Sequence, residues 1–268
     1  MKKHFLHLNR LAGLLVVCLA LTACDPNPDP DDSGTVPPPP PNGKRLVSMT
    51  KDKGGHQVYT DVFEYNSKGQ IIRVDDKTNS SNTTYYTYTD STITVRSMFS
   101  TTNTTYTLSK GRIVRSSSVY YSYGEVTSTY ENTYEYDSNG CLIKVVSYYK
   151  NGDEDETSYD VFDTTIYTWA NGNVTKVSRS SSYDNTETAY EYSDYSISAL
   201  PYFGIPDIPS VLAMQGYFGK LCRNLIASET TIDAFGNSST GTYDYTITDG
   251  VVTRCIDKFS SIYTFVWE

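Results

Sequence analysis

The sequence predicts an all-β domain, a single antiparallel meander of about 14–16 strands forming a soluble barrel or strongly curled near-barrel, with one short helical or irregular insert near residues 199–219. A glycine-centred motif recurs five times along the chain. Between the copies, runs of Tyr, Thr, Val and Ile alternate with polar residues, and 25 of the 268 residues are tyrosine. One stretch alone, with three closely spaced prolines, breaks the alternation.

The motif reads Gly, any residue, an aliphatic, an aliphatic or Thr, then Arg or Lys. Its copies start at Gly69, Gly111, Gly140, Gly172 and Gly250 and end at Arg73, Arg115, Lys144, Lys176 and Arg254. An aromatic-rich run precedes each: Phe63 to Tyr65, Tyr106 to Leu108, Tyr134 to Tyr136, Tyr167 to Trp169 and Tyr245 to Ile247. Each copy is therefore a β-hairpin in which glycine supplies the positive φ of the turn. Asn171-Gly172 and Asp249-Gly250 are two-residue turn signals, whereas Asn66 to Gly69 and Asp137 to Gly140 read one residue longer.

Turn length sets the facing partners. The tight turns oppose Leu108 to Ile113, Trp169 to Val174 and Ile247 to Val252; the longer ones oppose Tyr65 to Ile71 and Tyr136 to Leu142. Two residues further out on the same face, an unbroken ladder sets Phe63 against Arg73, Tyr106 against Arg115, Tyr134 against Lys144, Tyr167 against Lys176 and Tyr245 against Arg254. The expectation is a ring–cation ladder on the inward, aromatic face, with Thr and Glu facing outward. Those ten residues form the candidate ligand surface, since rings stack on sugars and cations donate to hydroxyls and acids. Core packing with snorkelling basic residues explains the same pattern.

Further strands are expected over 83–89, 92–98, 119–123, 157–162, 186–192, 224–231 and 260–267. A sheet of this size must curl or close to protect its edges. The insert, Ala199 to Gly219, holds Pro201, Pro206 and Pro209, which exclude a strand. Its apolar content places it at one mouth of the barrel or inside it. Ser210 to Gly216 reads as a short helix, with Asp207 or Ser210 as cap and Gly216 as stop.

The first residues give the address. Lys2, Lys3 and Arg10 precede an apolar run from Leu11 to Leu21, and Leu21-Thr22-Ala23-Cys24 closes it. This is a secretory signal, too short to span a bilayer. The cysteine after small residues resembles the lipobox of bacterial lipoproteins, which implies cleavage before Cys24 and lipidation of its sulfur. Residues 1–23 are then the signal, 24–43 the lipidated cysteine with an acidic, proline-rich tether, and 44–268 the tyrosine-rich domain. Proline keeps the tether extended, so at roughly 3.1 Å per residue it holds the domain some 50 Å from the membrane. The acids after Cys24 resemble the surface-export signal of Bacteroidetes lipoproteins, which implies the exterior face of the outer membrane; a spacer facing the periplasm is the alternative.

The hairpin unit is similar to the YD repeats of Rhs-type surface proteins. More closely, lipobox, acidic tether, hairpins and the segment Gly216-Tyr217-Phe218-Gly219-Lys220 to Asn224-Leu225-Ile226 resemble a family of Bacteroidetes lipoproteins with a porin-like domain of unknown function. That resemblance implies a large antiparallel barrel and no activity. Asp90-Ser91-Thr92 and Asp163-Thr164-Thr165 resemble the O-glycosylation pattern of that phylum, making Ser91 and Thr164 candidate sites.

Charge and rare residues narrow the function. The net charge of −9 becomes −12 once Lys2, Lys3 and Arg10 leave with the signal, which argues against nucleic acid as a partner. Cys141, Cys222 and Cys255 allow at most one internal disulfide and no zinc ribbon. His56 is the one histidine outside the signal and has no Ser or Cys beside it. Asp153 to Glu156 read as a solvated hairpin tip rather than a calcium loop. No catalytic, cofactor or metal site emerges. The outward face, with Glu64, Glu135, Glu191 and Asp244, cannot form the apolar band of a membrane pore. The expected protein is a monomeric, lipid-anchored binding or scaffold protein whose ligand is a glycan or a protein; the alternative is an extracellular glycan hydrolase.

Overall fold

The computed structural model describes residues 43–54, 58–78, 82–98, 102–122, 125–151, 160–181 and 184–268. The signal, the tether with Cys24, His56 and the acids from Asp153 to Glu156 lie outside the described residues. The strands are β1 (Leu46–Asp52), β2 (Val58–Tyr65), β3 (Ile71–Asp76), β4 (Thr84–Tyr88), β5 (Thr92–Ser97), β6 (Asn103–Ser109), β7 (Arg112–Ser122), β8 (Glu125–Tyr136) and β9 (Leu142–Asn151). They continue as β10 (Asp160–Ala170), β11 (Asn173–Ser181), β12 (Asn185–Ser196), β13 (Asn224–Ile232), β14 (Ser238–Thr242), β15 (Asp244–Thr248), β16 (Val251–Ile256) and β17 (Ile262–Trp267).

All seventeen join one antiparallel meander, and β1 pairs with β17 as well as β2, with Met49 facing Phe265 and Asp61. The sheet therefore curls into a nearly closed barrel. β14 and β15 are two segments of one strand bent at Tyr243: β14 pairs with β13 and β15 with β16. The expected strands at 119–123 and 157–162 are not separate, because β7 and β10 run through their described parts as single long strands; residues 123 and 157–159 lie outside the described residues.

The tight turns have the φ values the sequence demands, 53° and 78° at Asn171-Gly172 and 51° and 78° at Asp249-Gly250. The first opposed pair is as expected in all five hairpins, for example Leu108 to Ile113 and Tyr136 to Leu142. One step further every hairpin bulges. The register shifts between Glu64 and Tyr65, Thr107 and Leu108, Glu135 and Tyr136, Thr168 and Trp169, and Thr246 and Ile247. The extra residue reverses the facing of everything beyond it. Phe63, Tyr106, Tyr134, Tyr167 and Tyr245 therefore face Val74, Ser116, Val145, Val177 and Cys255. Arg73, Arg115, Lys144, Lys176 and Arg254 face Glu64, Thr107, Glu135, Thr168 and Thr246 instead. The expected ring–cation ladder is thus corrected: rings turn inward and cations outward.

The five glycine turns share one end, the near end, with the start and finish of the domain, where Arg45 and Glu268 exchange backbone bonds of 2.6 and 3.0 Å. The insert enters here. It makes 3-10 turns at Ile197–Ala199 and Pro201–Phe203 and one helical turn, α1 (Ser210–Ala213). Pro209, not Asp207 or Ser210, occupies its cap position, with no side-chain cap bond. The insert plugs the barrel. Leu200, Ile205, Leu212, Tyr217 and Phe218 are buried among wall residues from most of the circumference. Its backbone is stitched to the turns: Ile113 N donates to Tyr217 O at 2.8 Å, Lys220 N to Gly140 O at 3.0 Å and Arg223 N to Gly172 O at 2.8 Å. Cys222 and Cys255 are buried free thiols, so neither pairs with Cys141.

Candidate functional site

Beyond the plug, towards the far end, the inward side chains become polar. Two buried carboxylates carry their own cations. Asp163 pairs with Arg179 and accepts from Thr165 Oγ1 at 3.2 Å. Glu229 pairs with Lys258 and accepts from Tyr243 Oη at 2.8 Å. Lys258 reaches Glu229 across Gly241, where a Cβ would stand 2.3 Å from the lysine Cβ. Asp257 completes this belt, accepting from Tyr263 Oη at 3.1 Å with Lys51 Nζ at 3.9 Å.

Two acids in the interior have no ion pair among the described residues. Asp207, at φ 60°, belongs to the plug and lies within reach of the Glu229, Lys258 and Arg179 charges of the far half. The residue is solvent-exposed, yet its carboxyl is raised above the ordinary range, first by burial and then by Glu229. Asp207 thus stays open to solvent within reach of those charges of the wall, and we take this space beyond the plug as the candidate recess. Asp61 on β2 faces Asp76 on β3. Burial and then the Asp76 charge push Asp61 up to about 6, while Asp76 is held by Thr78 N at 2.8 Å and Asn82 Nδ2 at 3.0 Å. Tyr167 and Tyr190 face the same space, and burial followed by the Asp207 charge raises both. They stay protonated donors beside acid acceptors.

At the far rim the long strands β7 to β10 add an aromatic cluster. Tyr130 meets Tyr149 at 4.9 Å, Tyr120 at 5.5 Å and Phe162 at 6.3 Å between ring centres, and Tyr120 is 40% exposed. The far half of the barrel therefore offers carboxylate acceptors, phenol donors and partly open rings. Among the described residues no group of three His, Cys, Asp or Glu is placed to hold a metal.

The ten residues of the expected ligand surface are divided by the barrel wall. Phe63, Tyr106, Tyr134 and Tyr167 are buried inside, and Tyr245 is partly buried. Arg73 pairs with Glu64 at 3.2 Å, Lys144 with Glu135 at 3.1 Å, Lys176 with Glu187 at 2.9 Å and Arg115 with Glu131, all on the outer wall. Arg254 lies outside, opposite Thr264 of β17. Ser91 is exposed in the turn between β4 and β5, and Thr164 sits half-buried within β10. The recess acids carry no motif in the sequence; they meet only because distant strands close the ring.

Fold and interior together define a plugged antiparallel barrel with a charged, polar outer wall. The chain belongs to the family described as a domain of unknown function (DUF4595) with porin-like fold, which matches residues 63–252. Among solved structures it is similar to a porin-like protein from Bacteroides vulgatus, with 17% identity and a TM-score of 0.62 over 83% of this chain and 98% of that one. A porin-like protein from Bacteroides uniformis is similar at 18% identity and a TM-score of 0.59, with the same coverage. These likenesses establish the fold alone. No curated protein matches the chain.

Proposed function

We propose that this is a lipid-anchored, exported binding protein that takes ligand into the recess beyond its plug. The observation that carries the reading is an asymmetry of ends. The plug shares the near end with Arg45 and Glu268, the start and finish of the domain, so an anchor at Cys24 turns the recess away from the membrane. The ligand class that fits is a glycan: rings stack on apolar sugar faces, and acids and phenols exchange bonds with hydroxyls. The acidic tether supports display on the cell exterior. The polar outer wall supports a lipid tail, rather than the barrel itself, as the membrane attachment.

The full-length chain in detergent, applied to a glycan array, is expected to bind without consuming the glycan, and Asp207→Ala and Tyr190→Ala are expected to abolish binding. Binding unaffected by both changes would refute the recess as the site. One observation favours hydrolysis as a second reading. Asp61, raised to about 6, is suited to give a proton, and Asp76 opposite it to act as base. Released reducing ends, lost in Asp61→Asn, would establish it.

A further inference from the structure

Among the described residues, the curling of the sheet leaves the outer edge of β14 unpaired. β14 bonds to β13 on one side and, among the described residues, to no strand on the other, whereas β15, which continues it after Tyr243, bonds to β16. Tyr243 N donates to Ala227 O at 2.9 Å, so Tyr243, Gly241 and Ser239 turn their backbone groups towards β13. Ser238, Thr240 and Thr242 then turn theirs to the open side, since the facing of N–H and C=O alternates along a strand. Such a row of free donors and acceptors is a template for a further strand. Two hairpin tips border it. Phe235, at 89% exposure, lies in the turn before β14. Phe259, at 75%, lies beside Lys258, whose Cβ packs against Gly241. They are the two most exposed large apolar side chains of the described residues.

We infer that β14 is a docking edge for an extended, basic polypeptide segment, which adds a strand to the barrel and covers Phe235 and Phe259 with its apolar side chains. Extended main chain is the one occupant that matches the backbone row. Charge selects its sign. Lys258 is already paired with Glu229, whereas Asp233 and Asp244 flank the edge, and Asp233 is held ionised by bonds from Phe235 N, Asn237 N and Asn237 Nδ2 at 2.8–2.9 Å. The same charges oppose a second copy of this acidic chain.

The test uses the full-length chain in detergent and a short acetylated peptide alternating lysine with valine, followed by fluorescence anisotropy and amide hydrogen exchange. Binding is expected to slow exchange at Thr240 and Thr242. Thr240→Pro removes one outward N–H and leaves the β13 ladder intact, so it is expected to weaken binding by about tenfold or more. Thr240→Val loses the same hydroxyl contact to Thr230 but keeps the N–H, so it should bind like the parent. Phe235→Ala and Phe259→Ala should each weaken binding severalfold. Undiminished binding in Thr240→Pro would overturn the proposal, as would equal binding of a glutamate–valine peptide. So would self-association of the chain that Thr240→Pro abolishes, which would assign the edge to a second copy.

Discussion

In each repeat the ladder to the following strand begins only at the basic residue, as with Arg115 opposite Thr133 and Lys176 opposite Ala189. The carbonyl of the aliphatic residue two places earlier falls short of it and takes a side-chain donor from the next strand. Ile71 O accepts from Tyr88 at 2.7 Å, Ile113 O from Tyr136 at 2.7 Å, Leu142 O from Trp169 at 2.7 Å, Val174 O from Tyr192 at 2.6 Å and Val252 O from Trp267 at 2.8 Å. This gives the abundant Tyr, and Trp where Tyr is replaced, a specific use: burying the ring and closing the rim are one act. Tyr136→Phe keeps the packing and strands a carbonyl, so urea unfolding is expected to show a loss of about 1–2 kcal/mol. The opposite sign is expected at Asp61. Its folded pKa of about 6 lies above the unfolded value near 3.8. The folded state therefore binds more protons between those values, stability falls as pH rises from about 4 to 6, and it levels off above. Asp61→Asn should remove that slope and stabilise the protein at pH 7 by on the order of 1 kcal/mol, allowing for its partial exposure.

At the scale of elements, glycine spacing and turn chemistry made the five hairpins legible in the sequence, and the proline-rich break made the plug legible. The bulges were not. Period-two reading tells which residues share a face only while the ladder is unbroken, and an extra Ile72, Val114, Ile143, Thr175 or Thr253 looks like any strand residue. One such residue per hairpin moved every cation from inside to outside. The repeated bulges also add twist, which helps the long sheet curl round on itself. The plug depends on close approach to the turns. Gly219 has φ 78°, and a Cβ there would lie 2.3 Å from Gly140 O. Gly219→Ala is expected to cost more than about 2 kcal/mol. Gly236→Ala, at φ 80° in a turn with nothing within 4 Å, should cost only about 1 kcal/mol for its backbone strain. Equal losses in denaturant melts would show that the contact with the turn is unimportant.

At the scale of the whole molecule, the barrel separates two chemistries. Outside are exposed ion pairs such as Arg73 with Glu64 and Lys144 with Glu135, each contributing little to stability but keeping the wall polar. Inside, the near half is apolar and plugged, and the far half holds, among tyrosines, the ion-paired Asp163 and Glu229 and two acids, Asp61 and Asp207, with no ion pair among the described residues. The sequence placed the proline-rich insert at one mouth of the barrel or inside it and indicated a polar exterior, but left open whether the interior is filled or holds a cavity. It did not foretell the recess, because Asp61, Asp163, Asp207 and Glu229 lie far apart in the chain and carry no spacing that signals their meeting. The most direct test of the account is thiol labelling of Asp207→Cys in the folded full-length chain with a small maleimide. A water-filled recess floored by the plug predicts rapid labelling at position 207 while buried Cys222 and Cys255 stay unreactive. A position 207 thiol that reacts only on unfolding would mean that the barrel is solid throughout, and the recess would not exist.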